Sequence, residues 1–211
     1  MTAVDILTSI FSDWRVAVLA GLVLVAFIWS GRNRVIWEKA WNASRYQSIP
    51  IPERCWSYDA RYLEDFARAA DHVRIGHRSA LHYYTVNILR LSDIAFAVTL
   101  ATVTAFIWYE LAVSHLTYDW VRWAAFPCGA MAVLYGIADV SENLKLSTIL
   151  RHWQKVDRAD AAATNMLTRV KVVSISLSII GGAIFLVISA AELIAERLTR
   201  RRQPEQAPAR N

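Results

Sequence analysis

The chain has 211 residues, of which 55% are hydrophobic and 19% charged, and its mean hydropathy is +0.28. Soluble domains carry about 25% charged and about 45–50% apolar residues, so this composition indicates a membrane protein. With two cysteines and seven glycines it excludes a disulfide scaffold and a collagen-like repeat, and its apolar content excludes a disordered chain.

The first predicted element is an amphipathic helix over residues 1–13 that lies on the membrane surface. Val4, Leu7 and Phe11 recur at helical spacing. The segment has no Lys or Arg, which argues against a cleaved secretory signal. Ser12 or Asp13 is the predicted N-cap of the span that follows.

Four apolar runs stand out, and each predicts a membrane-spanning helix. The predicted spans cover residues 14–31, 91–114, 120–143 and 170–194. In the first three, the uncharged stretch is 16 residues, or about 24 Å of helix, which is shorter than the roughly 30 Å hydrocarbon core. Some flanking charged residues must therefore lie at or inside the membrane edge.

The connection over residues 32–90 is predicted to form a small helical cap on the cytoplasmic face. Its first part mixes aromatic and basic residues, which favours an anchor at the lipid headgroups, with a headgroup-binding pocket as the alternative. These interface residues are Arg32, Arg34, Trp37, Lys39 and Trp41. Pro50 and Pro52 separate this part from the next helix.

That next helix has an apolar face of Leu63, Phe66, Ala70 and Val73, and Gly76 is predicted to end it. A further helix then runs directly into the second span. Residues 144–169 are predicted to be a helical cytoplasmic link, and residues 195–211 a basic, disordered tail. The predicted fold is therefore all-α: a four-helix transmembrane bundle with a small helical cytoplasmic cap.

The distribution of basic residues predicts the orientation. Residues 32–90 and 141–171 contain 16 of the 23 Lys and Arg residues, which places both connections in the cytoplasm and both termini in the periplasm of a bacterial inner membrane. The basic cluster of residues 197–202 argues the other way. The net charge of +5 predicts contact with the bilayer and its anionic lipid headgroups rather than with nucleic acid.

Polar residues at three helix ends are predicted to form a cluster at one bilayer face. Asp139, Glu142 and Asn143 share one face of the third span because they stand at i, i+3 and i+4. The adjoining ends of the second and fourth spans come to the same side, and ionisable groups inside a membrane normally face a bundle interior. The predicted cluster comprises Arg90, Asp93, Asp139, Glu142, Asn143 and Lys171.

Two interpretations of this cluster remain open. The charges neutralise one another and hold the helices together, or they form a site for ions, protons or lipid headgroups. No metal site and no cofactor is predicted, because the histidines lack the spacing of metal ligands. Cys55 and Cys128 are expected to be free thiols.

Small residues in the third and fourth spans predict close helix packing, either within the bundle or in a homodimer. They are Ala132, Gly136, Ser174, Ser178 and Gly182. No phosphate loop, nucleophile elbow or dinucleotide motif is present, so no catalytic residue is predicted.

The sequence resembles a group of uncharacterised bacterial four-span integral membrane proteins. An acid opens their second span and a D-x-x-E-N motif closes the third. The matching residues are Gly76, Arg78, Tyr83 or Tyr84, Asp93, Phe96, Asp139, Glu142 and Asn143. The resemblance implies a four-span fold and a joined polar set, and it implies no activity.

The sequence thus predicts a multi-pass membrane protein with a non-enzymatic accessory or assembly role, whose partner is a second copy or another membrane protein. One alternative is a pathway for a small solute, an ion or a proton that uses the polar cluster. A second is a lipid-active membrane enzyme that uses the same acids.

Overall fold

The computed structural model describes residues 13–113 and 119–202. The predicted amphipathic helix over residues 1–13 therefore lies, except for Asp13, outside the described residues, as do residues 203–211 of the predicted tail. The described chain is almost entirely helical, which confirms the all-α prediction.

Five helices and one small hairpin make up the described structure. The long helices are α1 (Trp14–Asn42), α3 (Ala80–Val113), α4 (Asp119–Arg151) and α5 (Arg158–Arg202). The cap contains a 3₁₀ turn (Pro52–Arg54), α2 (Ala60–His72) and an antiparallel hairpin of β1 (Arg74–Ile75) and β2 (Arg78–Ser79). A second 3₁₀ turn (Trp153–Lys155) joins α4 to α5.

Four of these helices are long and apolar enough to cross a membrane. The segments that qualify are Trp14–Asn42, Ala80–Val113, Arg122–Arg151 and Arg158–Ile188. Their outward faces expose large aliphatic side chains, such as Val25, Ile179 and Val187. A contiguous apolar surface of this size suits contact with lipid and would be a liability in water.

The long helices extend beyond the predicted spans, as the far ends of α1 and α5 illustrate. The helix α1 begins at the Asp13 cap, whose carboxylate accepts a 2.8 Å hydrogen bond from the amide of Arg15, and it continues to Asn42. At the other end, α5 continues to Arg202, so the prediction of a disordered tail from residue 195 is wrong for residues 195–202. That stretch contains neither proline nor glycine, so no residue in it interrupts the helix.

The predicted cap helix is present as α2, with Asp59 as its N-cap. Its predicted apolar face is buried: Leu63, Phe66 and Ala70 are inaccessible and Val73 is nearly so. The helix ends at His72, and Gly76 instead forms the turn of the hairpin with φ of +60°. Glycine suits this position because a left-handed conformation is costly for residues with a Cβ.

Two tryptophans that were predicted to anchor the chain at lipid headgroups are instead buried in the cap core. Trp37 and Trp41 are 1% and 2% exposed, and their rings stack with centroids 5.0 Å apart. The indole N–H of Trp37 donates to the carbonyl of Ala80 at 3.0 Å, and that of Trp41 to the carbonyl of Ile49 at 3.3 Å. The headgroup prediction is wrong for both, because the cap folds back over this face of α1 and satisfies both indoles.

The long helices pack in a row that begins with α1 and continues through α3 and α4 to α5. Neighbours in this row pack against each other, whereas α1 and α5 hardly touch. The row curves, so residues of all four helices line one space between α1 and α5. This gap is the entrance to the candidate site.

Part of α3 is wound as a π-helix. The segment Tyr84–Asp93 has this wider geometry and continues into regular α-helix at Ile94. π-Helical turns are rare and frequently lie at functional sites. The segment begins and ends with buried residues that face the charged groups described next, Tyr84 and Asp93.

Candidate functional site

A cavity of about 440 Å³ lies between α1 and α5, with α3 and α4 behind it and the Pro52–Arg54 turn above it. We call it the polar cleft. Its cap end is charged or polar and the part deeper in the bundle is apolar. The charged and polar lining residues are Ser30, Arg34, Glu53, Arg54, Asp93, Tyr135, Asp139, Asn143 and Lys171; the apolar ones include Phe27, Phe96, Val172 and Ile175.

One base and two acids form the first ion-pair triad, which lies at α1. Arg34 donates to Asp93 at 2.7 Å and forms a second ion pair with Glu53 of the cap turn. The hydroxyl of Ser30 donates to the other oxygen of Asp93 at 2.7 Å. The Asp93 side chain is only 9% exposed, so its charge depends on these partners.

The second ion-pair triad also consists of one base and two acids, and it lies at α5. Lys171 contacts Asp139 at 3.1 Å and also pairs with Glu142. The hydroxyls of Tyr135 and Thr168 donate to Asp139 and Glu142 at 3.1 and 2.6 Å, respectively. Each triad thus sets two carboxylates against one base, so with every group ionised each carries one net negative charge.

The α4 residues reach this site because of their helical spacing. Asp139, Glu142 and Asn143 share one face, and the amide of Asn143 donates to Asp139 at 3.3 Å. Tyr135 stands one turn before Asp139 on the same face. The predicted grouping of the α4 acids with Lys171 therefore corresponds to direct contacts, and Asp93 lines the same cleft.

Arg90 lies apart from the acids with which it was grouped. Its guanidinium donates to Ser147 at 2.8 Å and to Thr148 at 3.2 Å. Within residues 13–113 and 119–202, Arg90 forms no ion pair with a carboxylate. The base beside Asp93 is Arg34, which was predicted to contact lipid headgroups. Its guanidinium pairs with Asp93 and Glu53, but the side chain is 35% exposed and lines the cleft, so headgroup contact by Arg34 stays a prediction. Arg32 and Lys39 are exposed.

Sequence reasoning missed Glu53 entirely. It lies in a proline-bracketed turn with no periodic pattern, and its side chain is 11% exposed. Its Oε1 and the hydroxyl of Tyr84 are both buried beside each other, and neither has a hydrogen-bond partner of good geometry in the described part of the chain. The one signal in the sequence was the pair of prolines. It indicates a rigid turn, but it does not indicate that an acid of this turn belongs to the site.

The cap is tied to α5 next to the second triad. The side-chain amide of Asn165 accepts from the Tyr58 amide at 3.1 Å and donates to the Tyr58 carbonyl at 2.7 Å. Burial raises the pKa of the Tyr58 hydroxyl well above its ordinary value, and the nearby Glu142 carboxylate raises that pKa further. The Tyr58 hydroxyl therefore stays protonated, and it is buried without a hydrogen-bond partner of good geometry in the described part of the chain.

Away from the cap, the bundle closes around an apolar core. Its buried members are Val16, Trp108, Leu111, Ala112, Ala125 and Phe185. The indole N–H of Trp108 donates to the hydroxyl of Ser178 at 3.0 Å, which joins α3 to α5. The polar cleft thus ends inside the bundle, against apolar side chains.

The predicted packing residues lie at helix contacts inside the bundle. Ala132, Ser174 and Ser178 are buried. A Cβ on Gly136 would lie 2.6 Å from the Cβ of Ala101, so α3 and α4 approach closely there. A Cβ on Gly182 would make only ordinary contact with Trp108 at 3.8 Å.

Among the described residues, no group of three His, Cys, Asp or Glu side chains is placed to hold a metal ion. In comparisons with protein-family models, curated proteins and solved structures, nothing matches this chain. Interpretation of the site therefore depends on its geometry.

Proposed function

From the polar cleft we propose that this chain is a non-enzymatic accessory membrane protein that binds the polar end of an amphipathic bilayer molecule. The observation that carries the proposal is the division of the cleft, which is charged beneath the cap and apolar between Phe27 and Ile175. A molecule that enters between α1 and α5 would place its polar group against the triads. Its apolar part would stay in contact with the aliphatic and aromatic lining.

The ion pairs support a binding role over a catalytic one. Asp93, Asp139 and Glu142 each already interact with a base and with a hydroxyl. A general acid or base must be free to exchange a proton with a substrate, and these partners hold the carboxylates in place. A lipid-active enzyme using the same acids stays an alternative that the experiment below distinguishes.

The apolar core argues against a pathway across the membrane in this conformation. An ion or proton that reached Asp139 from the cap side would still have to pass the apolar end of the cleft and then the packed core around Trp108 and Phe185. Because charged groups are costly in such surroundings, transport would require the bundle to open there.

We also propose that the protein resides in a bacterial inner membrane with the cap in the cytoplasm. The support is the concentration of basic residues in the two connections on the cap side. Fusions of alkaline phosphatase and of green fluorescent protein to the C-terminus test the orientation. An active phosphatase fusion with a dark fluorescent one is expected, and the reverse result would overturn the orientation.

Filling the cleft tests the binding role. Gly31 lines the cleft and a Cβ there meets nothing within 4 Å, so Gly31→Trp places an indole in the cavity. Gly21→Trp is the matched control, since Gly21 is equally open, lies on the same helix and is not part of the cleft lining.

The readout is native mass spectrometry of protein extracted with its surrounding lipid. We expect a bound amphiphile on the wild type and on Gly21→Trp, and its loss from Gly31→Trp. Equal occupancy of all three proteins, or no bound molecule on any, would overturn the proposal. Conversion of the recovered molecule to a product during incubation would favour the lipid-active enzyme.

A further inference from the structure

We infer that the polar cleft selects phospholipids whose headgroup carries a primary amine. This inference rests on the proposed function and specifies its ligand. The two triads provide the charge that recognises the amine. Arg54, on the cap turn above the cleft, provides a base for the phosphate.

The charge balance of the cleft favours a cationic group. The lining itself contains three acids, Glu53, Asp93 and Asp139, and three bases, Arg34, Arg54 and Lys171. The acids are in excess because Glu142, which lies behind the lining, shares Lys171 with Asp139. The remaining lining base, Arg54, forms an ion pair with Glu38. Uncompensated negative charge inside a membrane is costly, and a positively charged ligand group would offset it.

The hydrogen bonds at the two aspartates favour a cation that carries N–H donors. An ionised carboxylate accepts about four hydrogen bonds. Asp93 accepts one from Ser30 and one from Arg34, and Asp139 accepts three, from Tyr135, Asn143 and Lys171. Both therefore keep acceptor capacity towards the cleft that they line, and a primary ammonium has three donors to fill it.

A quaternary ammonium fits this arrangement less well. It has no N–H and is recognised by the faces of several aromatic rings. The rings that line the cleft are Phe27, Phe96 and Tyr135, and Phe27 and Phe96 pack against each other with centroids 5.8 Å apart, which leaves less ring face for a cation. A trimethylated amine would leave the remaining acceptors of the aspartates unpaired, which costs binding free energy.

The cap turn above the cleft suits the phosphate of the same headgroup. The guanidinium of Arg54 lines the cleft and its side chain is 61% exposed, so it has donors beyond those used by Glu38. The acyl chains would then lie along Val172 and Ile175 and leave the cleft between α1 and α5.

Stepwise methylation of the headgroup tests the inference on the unaltered protein. Delipidated protein is titrated with phosphatidylethanolamine, its N-methyl and N,N-dimethyl forms, phosphatidylcholine and phosphatidylglycerol, all with the same acyl chains. Bound lipid is counted by native mass spectrometry. We expect affinity to fall with each methyl group and to differ by about tenfold or more between the first and fourth lipids.

A conservative variant assigns the preference to the cleft. Asp139→Asn keeps the Lys171–Glu142 pair and removes one carboxylate, and we expect it to bind the amine lipid more weakly. Asp160→Asn is the matched control, because Asp160 is half exposed, pairs with Lys145 and lies outside the cleft lining.

The outcomes separate this inference from the proposed function. Equal binding of all five lipids, or tightest binding of phosphatidylcholine or phosphatidylglycerol, would overturn the amine preference and leave the binding role standing. No binding of any lipid by the wild type would overturn both. A graded preference of unchanged size and affinity in Asp139→Asn would place the amine elsewhere and contradict the site.

Discussion

The guanidinium of Arg34 on α1 and the carboxylate of Asp93 on α3 meet at 2.7 Å, although 59 positions separate them in the sequence. Arg34 also pairs with Glu53, so a single base connects the first span, the second span and the cap turn. The same pattern, with two acids on one base, recurs at Lys171.

The first triad predicts an unequal response to removal of its members. Arg34→Gln leaves two buried carboxylates without a base, whereas Asp93→Asn leaves a neutral Arg34–Glu53 pair. We expect the first change to lower the free energy of unfolding by about 3–5 kcal/mol and the second by clearly less. Unfolding in mixed micelles, followed by circular dichroism, measures both.

Arg32→Gln is the control for this comparison, because Arg32 is exposed and an exposed substitution is expected to change stability by about 0.5 kcal/mol or less. A larger loss in Asp93→Asn than in Arg34→Gln would contradict the shared-base arrangement.

The second triad predicts that Lys171 is far more important to stability than a lysine nearby along the bundle. Lys171→Gln leaves the carboxylates of Asp139 and Glu142 without a base. We expect it to lower the free energy of unfolding by about 3 kcal/mol or more. Lys145→Gln breaks only the partly exposed pair with Asp160, for which about 0–1 kcal/mol is expected.

Neutralising one of the two unpaired acids provides an internal check on that result. Adding Glu142→Gln to Lys171→Gln removes one unpaired charge, so the double variant is expected to be more stable than Lys171→Gln. Strictly additive losses in thermal unfolding would show that the two residues are not coupled.

Burial of Trp37 predicts both a stability and a spectroscopic result. Trp37→Ala removes a side chain packed against Trp41, Phe66 and Tyr84, and we expect a cost of about 3–5 kcal/mol. Trp56→Ala is the control, because Trp56 is 61% exposed.

Fluorescence separates burial from a headgroup position for the same residue. In a variant with Trp37 as its only tryptophan, emission is expected to resist both aqueous acrylamide and brominated lipids. Strong quenching by the lipids would restore the headgroup interpretation that the structure contradicts.

The close approach of α3 and α4 predicts a size limit at Gly136. The Cβ of Gly136→Ala would lie 2.6 Å from Ala101, and we expect a destabilisation of about 1–3 kcal/mol. Gly21→Ala, where a Cβ meets nothing within 4 Å, is expected to be neutral or slightly stabilising.

The complementary change tests whether the contact is the cause. Combining Gly136→Ala with Ala101→Gly restores the space between the two helices and is expected to recover part of the loss. If thermal unfolding shows no recovery, the cost of Gly136→Ala arises elsewhere.

The sequence alone determined the four spans, an N-cap at Ser12 or Asp13 and the buried face of α2. These features depend on local composition and on helical periodicity, which operate within about twenty residues of chain. The shared face of Asp139, Glu142 and Asn143 was predictable for the same reason, since it follows from the 3.6-residue turn.

Only the tertiary structure decided which charges meet. Arg34, Trp37 and Trp41 stand just past the end of a predicted span, where basic and aromatic residues occur both at lipid headgroups and beneath a folded cap. Glu53 lies in a turn without periodicity, and its role depends on where that turn packs against the bundle. Ion pairing requires contact across distant segments, and local spacing carries no information about how a cap folds back onto a bundle.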